Sequence, residues 1–438
     1  MRLPPGFKRT LAALLLAATV PGVSAAARAE AAPVADEANL PVLGWNACVA
    51  EARTANPSLR EAELSLAATR LRRNASWSDF LPRVSASLST SDGGQNNRLW
   101  FRDMHAGSWS ARVSASQSLF AGFSSIADVI RNYASVRREE ASLAQAAADL
   151  RARLRRAYVD VEYGQENVKV QEGIAQRRRA NADLVRLKYE AGREDKGSAM
   201  RAEADAKQSA FEAARSRRAL ILASQVLARE LGRDEFSPFR VETDWNFAPP
   251  PAGPDVAALA ERTPGVASAA AAADAAHASV MSARASFYPS MDADASIGRS
   301  GPHFFPGEDR SWSVGASVSW NLFSGGRDWF AWRAARHEAE QADTQLAAAR
   351  RNARVSVQDG YFSYVDAHEG LAVSIQFLEA ARTRAEIGRA QYANGLLGFV
   401  EWDLIEGELV GAERSEVAAR RDGLNAEAEW RRALGEGL

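Results

Sequence analysis

Five histidines are scattered through the 438-residue chain, at His105, His277, His303, His337 and His368. A zinc-binding helix needs two histidines four residues apart with a glutamate between them, and His337-Glu338 has no second histidine in that place. Asp366, His368 and Glu369 cluster in sequence, but within a long proline-free stretch they read as a solvated helix face rather than an acid–base site. The one cysteine, Cys48, excludes an internal disulfide and any multi-cysteine metal site. A lone thiol usually acts as a small apolar side chain. No glycine-rich phosphate loop or nucleophile elbow is present. These residues give no enzyme, no cofactor and no resident metal. With 54 basic and 55 acidic side chains the net charge is -1, so nothing marks a nucleic-acid partner.

The elements carry more information than any reactive group. Residues 1–31 read as a secretory signal peptide: a basic start with Lys8-Arg9, an apolar run from Leu11 to Val20, then Pro21-Gly22 and small residues. Beyond it no stretch approaches 18 consecutive apolar residues. If the rest of the chain enters a membrane, it must do so by strands.

The chain is a duplication. Asn56-Pro57 recurs as Thr263-Pro264, and Phe80-Leu81-Pro82 as Phe287-Tyr288-Pro289, at one constant offset. After an indel of four residues the matches continue: Leu119-Phe120-Ala121-Gly122 with Leu322-Phe323-Ser324-Gly325, Tyr158 with Tyr361, Tyr189 and Gly192 with Tyr392 and Gly395, and Leu231-Gly232 with Leu434-Gly435. In each copy two segments alternate apolar and polar residues. They surround Val84–Ser89 and Trp109–Ser116 in the first copy, and Met291–Ile297 and Trp312–Trp320 in the second. Period two with one wholly apolar face is the pattern of outer-membrane strands.

Each strand pair is followed by a proline-free, Ala-, Arg- and Glu-rich run, from Ser124 and from Arg327. Leu143, Ala147, Leu150, Leu154, Ala157, Val161 and Val168 recur in coiled-coil spacing, as do Leu346, Ala353, Val357, Gly360, Tyr364 and Leu371. The runs end at Gly192 and Gly395, where glycine supplies a left-handed helix cap. Shorter returning helices then run to the two Leu-Gly pairs. The expected divisions are residues 32–82 for the N-terminal segment and first helices, 83–122 for strand pair one, and 123–232 for the first helical hairpin. Residues 233–262 form an irregular linker containing Pro249-Pro250-Pro251, 263–289 a helix, 290–325 strand pair two, and 326–438 the second hairpin. Four strands cannot close a barrel alone, and open edges are not tolerated in lipid.

In this order and in two registers, the Asn/Thr-Pro starts, Phe-x-Pro entries, Leu-Phe-x-Gly exits, Tyr-x-x-Gly tips and Leu-Gly ends resemble the TolC family of outer-membrane efflux ducts. The resemblance spans about residues 46–438. It implies an all-α coiled-coil α-barrel in the periplasm joined to a transmembrane β-barrel in outer-membrane lipid, closed as a homotrimer of twelve strands, with the linker as an equatorial belt. It further implies a passive export duct of a tripartite efflux or type I secretion system. The implied partners are a periplasmic adaptor and an inner-membrane transporter of the RND, ABC or MFS type, with no cofactor; the competing reading is a periplasmic coiled-coil adaptor or structural protein. Carried over by position, Gly192, Arg193, Gly395 and Leu396 fall at the adaptor-contact tips. Tyr392 matches the gate tyrosine and Glu401 the first throat acid. Leu397 stands where the family has an arginine, Ser198 where it has a partner acid, and Leu404 where it has a second acid. The expected closure therefore rests more on packing of Leu397, Phe399 and Leu404 than on polar ties.

Overall fold

The computed structural model describes residues 40–96, 103–243, 245, 248–304 and 309–438. The expected signal peptide lies outside the described residues. From Pro41 onward the chain is one unit. In order it holds β1 (Val42–Leu43), α1 (Trp45–Ala55), α2 (Pro57–Ala75), β2 (Arg83–Asn96), β3 (Asp103–Ala121), α3 (Ser124–Glu190) and α4 (Lys196–Leu231). Then follow β4 (Arg240–Val241), α5 (Val256–Glu261), α6 (Pro264–Arg284), β5 (Ser290–Gly301), β6 (Asp309–Ser319), α7 (Arg327–Ala393) and α8 (Phe399–Leu434).

The four long strands form one antiparallel sheet in the order β2-β3-β5-β6. Its register places Ala86 opposite Val113, Val113 opposite Ile297, and Ile297 opposite Trp312. One face is therefore apolar across all four strands. The other carries serines that pair across the ladder, Ser85 with Ser114 at 2.9 Å and Ser296 with Ser313 at 2.9 Å. Trp312, Val314 and Ile297 on the apolar face are 78%, 75% and 63% exposed; no described residue covers them. The outer edges of β2 and β6 have no neighbour in the sheet.

Helices α3 and α7 are 67 residues each, roughly 100 Å at 1.5 Å per residue. Helices α2 and α4 flank α3, while α6 and α8 lie between α3 and α7. Within each of these two rows the helices meet end to end, and the repeated motifs form the joints. Asn56 caps α2 by accepting from Ser58 N and Leu59 N, and its amide donates to Glu230 O at the end of α4 (2.8 Å). Gly232 follows α4 and abuts the backbone of Ala55; Gly435 follows α8 and abuts Pro264. The Leu-Gly and Asn/Thr-Pro motifs are the two halves of one contact, present in both copies.

The first copy's coiled-coil positions are core: Leu150, Leu154, Ala157 and Val161 are buried. Leu154, Ala157 and Val161 pack with Leu227 and Leu231 of α4 and with Cys48 and Ala52 of α1. Burial pushes the Cys48 thiol up to about 11, with Glu51 adding to the rise, so Cys48 is a packed apolar group. Helix α7 is different: Val355, Phe362, Phe377 and Ile387 remain exposed, and among the expected positions only Val357 and Tyr364 are fully buried.

The linker carries more order than its composition suggests. Strand β4 pairs in parallel with β1, and α5 is capped by Asp255. The duplicated tyrosines hold this segment against the middle of the long helices. Tyr158 donates its hydroxyl to Glu242 O (2.9 Å), with Leu43 O at 3.2 Å, and Tyr361 donates to Pro251 O (2.9 Å).

Candidate functional site at the helix tips

Two turns close the hairpins. At the first, Gly192 has φ 70° and Arg193 N donates to Lys188 O (2.8 Å); at the second, Gly395 has φ 77° and Leu396 N donates to Gln391 O (2.9 Å). Both are left-handed helix caps. No atom beyond the local chain lies within 4 Å of where a side chain would start at either glycine. Gly192, Arg193, Gly395 and Leu396 are exposed, with Leu396 at 77%.

Behind the tips the two hairpins meet in one cluster. Tyr392 is buried and stacks on Trp402 with centroids 4.1 Å apart and planes 7° from parallel. Phe399 stands at an angle to both rings, and Val185 and Ala202 of the first hairpin complete the packing. The Lys188 ammonium lies 3.7 Å from the Tyr392 ring centroid and also donates to Tyr392 O, a cation–π contact plus a polar anchor. The Tyr392 hydroxyl donates to Glu194 Oε2 (3.0 Å). Burial, then this carboxylate, raises the Tyr392 pKa well above the ordinary phenol value, so the phenol stays a neutral donor.

Polar contacts stand beside the expected packing at this tip. Leu397 and Ser198 do not supply polar ties to Tyr392; Lys188 and Glu194 do, from positions the resemblance did not mark. Ser198 is buried and its hydroxyl donates to Asp195 Oδ2 (2.6 Å). Asp195 caps α4, and the Ser198 hydroxyl holds its carboxyl below the usual range. Leu397 is half-buried and packs against both the Tyr392 cluster and the neighbouring Leu378, Ala385, Ile405 and Leu409 group. Leu404, expected in the closure, is 60% exposed; two residues on from the buried Trp402, it lies about 200° around α8 from it.

Helix α8 is held on both sides by ion pairs. Asp403 meets Arg178 of α3 at 2.6 Å, and the fully buried Glu406 accepts from Arg389 of α7 at 2.9 Å. Arg177 of α3 pairs with Glu413, and Arg414 donates to Gln171 (2.9 Å). Glu401 lies elsewhere: it is exposed and borders a shallow groove with Arg384, Gln391 and Leu397. Nothing at the tips holds a reacting group, and among the described residues no group of three or more metal-ligating side chains comes together. No helix among them is long and apolar enough to cross a membrane.

Comparison with solved structures gives the same fold. The outer-membrane channel OprN superposes with a TM-score of 0.79 at 22% identity, covering 90% of each chain. The outer membrane protein VceC of Vibrio cholerae gives 0.77 at 20%, covering 90% of this chain and 96% of that one. The MtrE outer membrane channel of Neisseria gonorrhoeae gives 0.78 at 20%, covering 89% and 88%. No curated protein is similar in sequence. The family model described as outer membrane efflux protein matches residues 48–233 and 256–436. Those two segments are the two copies of the duplicated unit, strand pairs and helix joints included, so the chain, a transport protein rather than an enzyme, belongs to the outer membrane efflux protein family.

Proposed function

We propose that three copies of this chain form a passive export duct through the outer membrane and periplasm. The observation that carries the reading is the sheet: four strands with one continuous apolar face and two unpaired edges. Such edges must pair to exist in lipid, and three sheets closing edge to edge give a twelve-stranded barrel. The helices support the same closure. The exposed apolar residues of α7 have matching unpartnered residues on the opposite flank, Leu64 and Leu71 of α2 and Phe211 and Leu222 of α4. On this reading residues 1–31 are removed as a signal peptide, residues 233–262 and the N-terminal segment form the belt, and the duct joins a periplasmic adaptor to an inner-membrane transporter. Mass measurement of the detergent-solubilised protein is expected to give a trimer. A stable folded monomer in the soluble periplasmic fraction would instead favour a coiled-coil adaptor.

At the tips, Arg193 and Leu396 are proposed as adaptor contacts, motivated by their exposure on otherwise capped turns. Arg193→Glu or Leu396→Asp is expected to reduce adaptor pull-down several-fold at unchanged trimer yield. Undiminished pull-down would remove both residues from the contact.

Glu401 is proposed to line the throat. Three carboxylates around a threefold axis concentrate negative potential in a narrow mouth and favour cations. Asp403, about 200° around the helix from Glu401, is engaged by Arg178 and does not share that role. Glu401→Ala is expected to lower cation preference and weaken block by multivalent cations in planar-bilayer recordings; identical selectivity and block would place Glu401 outside the throat.

A further inference from the structure

Where the sheet passes into α7, the sequence runs Arg327-Asp328-Trp329-Phe330-Ala331-Trp332-Arg333-Ala334-Ala335-Arg336. At 100° per residue, Trp329, Trp332, Arg333 and Arg336 fall within an arc of about 100° on the helix. The Arg333 guanidinium lies over Trp329 at 4.9 Å from the ring centroid, and that of Arg336 over Trp332 at 5.5 Å. Two indole–guanidinium pairs therefore sit side by side within two helical turns. Trp329 is 45% exposed, and both arginines are exposed.

This patch continues the apolar face of the sheet. Trp320 follows the alternation of Trp312, Val314 and Val318 on that face and is 59% exposed. Its indole N–H donates to Phe287 O (3.3 Å), and the Phe287 ring meets Trp332 edge-on with centroids 6.5 Å apart. The first copy places a related patch at the matching positions of α3. Ile126, Ile130 and Tyr133 are 45%, 42% and 43% exposed there, and Arg73 lies over the Tyr133 ring at 5.2 Å.

The charges of the α7 patch are underused. Among the described residues Arg333 has no carboxylate partner, and Arg336 reaches only Glu340, at 3.7 Å. Asp328 is engaged by Arg327 (3.1 Å) and by the Ser324 hydroxyl, to which its N–H donates. A guanidinium stacked on an indole has its plane fixed and its N–H edge free, the geometry that grips a phosphate through two parallel hydrogen bonds. Indole itself favours the boundary between hydrocarbon and water.

From this juxtaposition we infer that the Trp329–Arg333 and Trp332–Arg336 pairs are headgroup sites for anionic phospholipid, in the leaflet nearer the helices. The inference rests on the lipid-facing assignment of the sheet. Arginine supplies the charge complementarity, the exposed Trp329 and the half-buried Trp332 place their indoles at the headgroup boundary, and the continuous apolar face from Trp312 to Trp320 sets the depth at which both meet the bilayer. The two pairs bias the protein toward anionic over zwitterionic lipid and fix the height of the helix–strand junction.

The test uses the full protein reconstituted in phosphatidylcholine bilayers with and without phosphatidylglycerol, with retained lipid counted by native mass spectrometry. The wild type is expected to retain phosphatidylglycerol preferentially. Arg333→Gln/Arg336→Gln is expected to lower that preference by roughly thirty-fold, about fivefold per arginine near an anionic surface, at unchanged heat-modifiable trimer. Arg351→Gln, further along the same helix, is expected to leave it unchanged. A wild type without preference, an unchanged preference in the double variant, or an equal loss in Arg351→Gln would each overturn the site. Should the double variant fail to assemble, Arg333→Lys/Arg336→Lys keeps the charge without the planar stack, and a wild-type preference there overturns the stacked geometry. A wild type that enters neither bilayer defeats the lipid-facing reading itself; one that enters both without preference defeats only this inference.

Discussion

Gly232→Val and Gly435→Val are each expected to abolish recovery of folded protein in the outer-membrane fraction. At Gly232, φ is 83°, and an added Cβ would lie 2.5 Å from Ala55 O and 2.7 Å from Ala55 C. At Gly435, φ is 79°, and the Cβ would lie 2.3 Å from Pro264 Cδ. The left-handed conformation costs a non-glycine residue about 1–2 kcal/mol, more when the residue is β-branched. The overlap is with backbone and a proline ring, which cannot swing aside, so the paired helices must separate at the joint. A combined loss above roughly 4 kcal/mol is a large part of a typical folding free energy. Gly192→Ala is the control: it shares the positive φ, at 70°, but its Cβ would meet nothing within 4 Å, and a loss of only about 1 kcal/mol is expected. Equal thermal stability of Gly232→Ala and Gly192→Ala would show that the helix joints tolerate displacement.

Trp402→Ala is expected to loosen the tip and raise single-channel conductance in planar bilayers, while Trp402→Phe leaves conductance near wild type. Trp402 is 2% exposed and forms the face on which Tyr392 lies. Truncating a buried tryptophan to alanine costs about 3–5 kcal/mol through lost contacts and the cavity left behind. Here that loss falls on one cluster joining α7, α8 and the first hairpin. Tyr392 would keep Glu194 and Lys188 but lose the surface that aligns its hydroxyl with them. Among the described residues the buried Trp402 indole N–H has no hydrogen-bond partner, so phenylalanine sacrifices area but no polar contact and relieves an unsatisfied donor. Unchanged conductance in Trp402→Ala, with the protein folded and trimeric, would separate this cluster from the state of the tip.

The features set by short-range chemistry were legible in the sequence. The alternation around Val84–Ser89 and Trp312–Trp320 marks strands because side chains in a strand change face at every residue. The proline-free runs ending at Gly192 and Gly395 mark helices because glycine can take the capping conformation without a steric cost. Duplication made each of these readings twice. Pairing across the chain was not legible. Val42–Leu43 and Arg240–Val241 are too short to show a period; they pair with each other, and Tyr158 and Gln165 of α3 bind their carbonyls and amide. Phe123 adopts a positive φ of 74° where the second copy has Gly326; its ring contacts with Phe120 and Tyr288 accompany that conformation. At the tips, Tyr392 was identified by position, but its partners come from two other stretches of chain, Lys188 and Glu194 from the first tip and Trp402 from α8. Which of many similar lysines and glutamates reaches it depends on the axial register of helices about 100 Å long, and that register is decided by packing along their whole length.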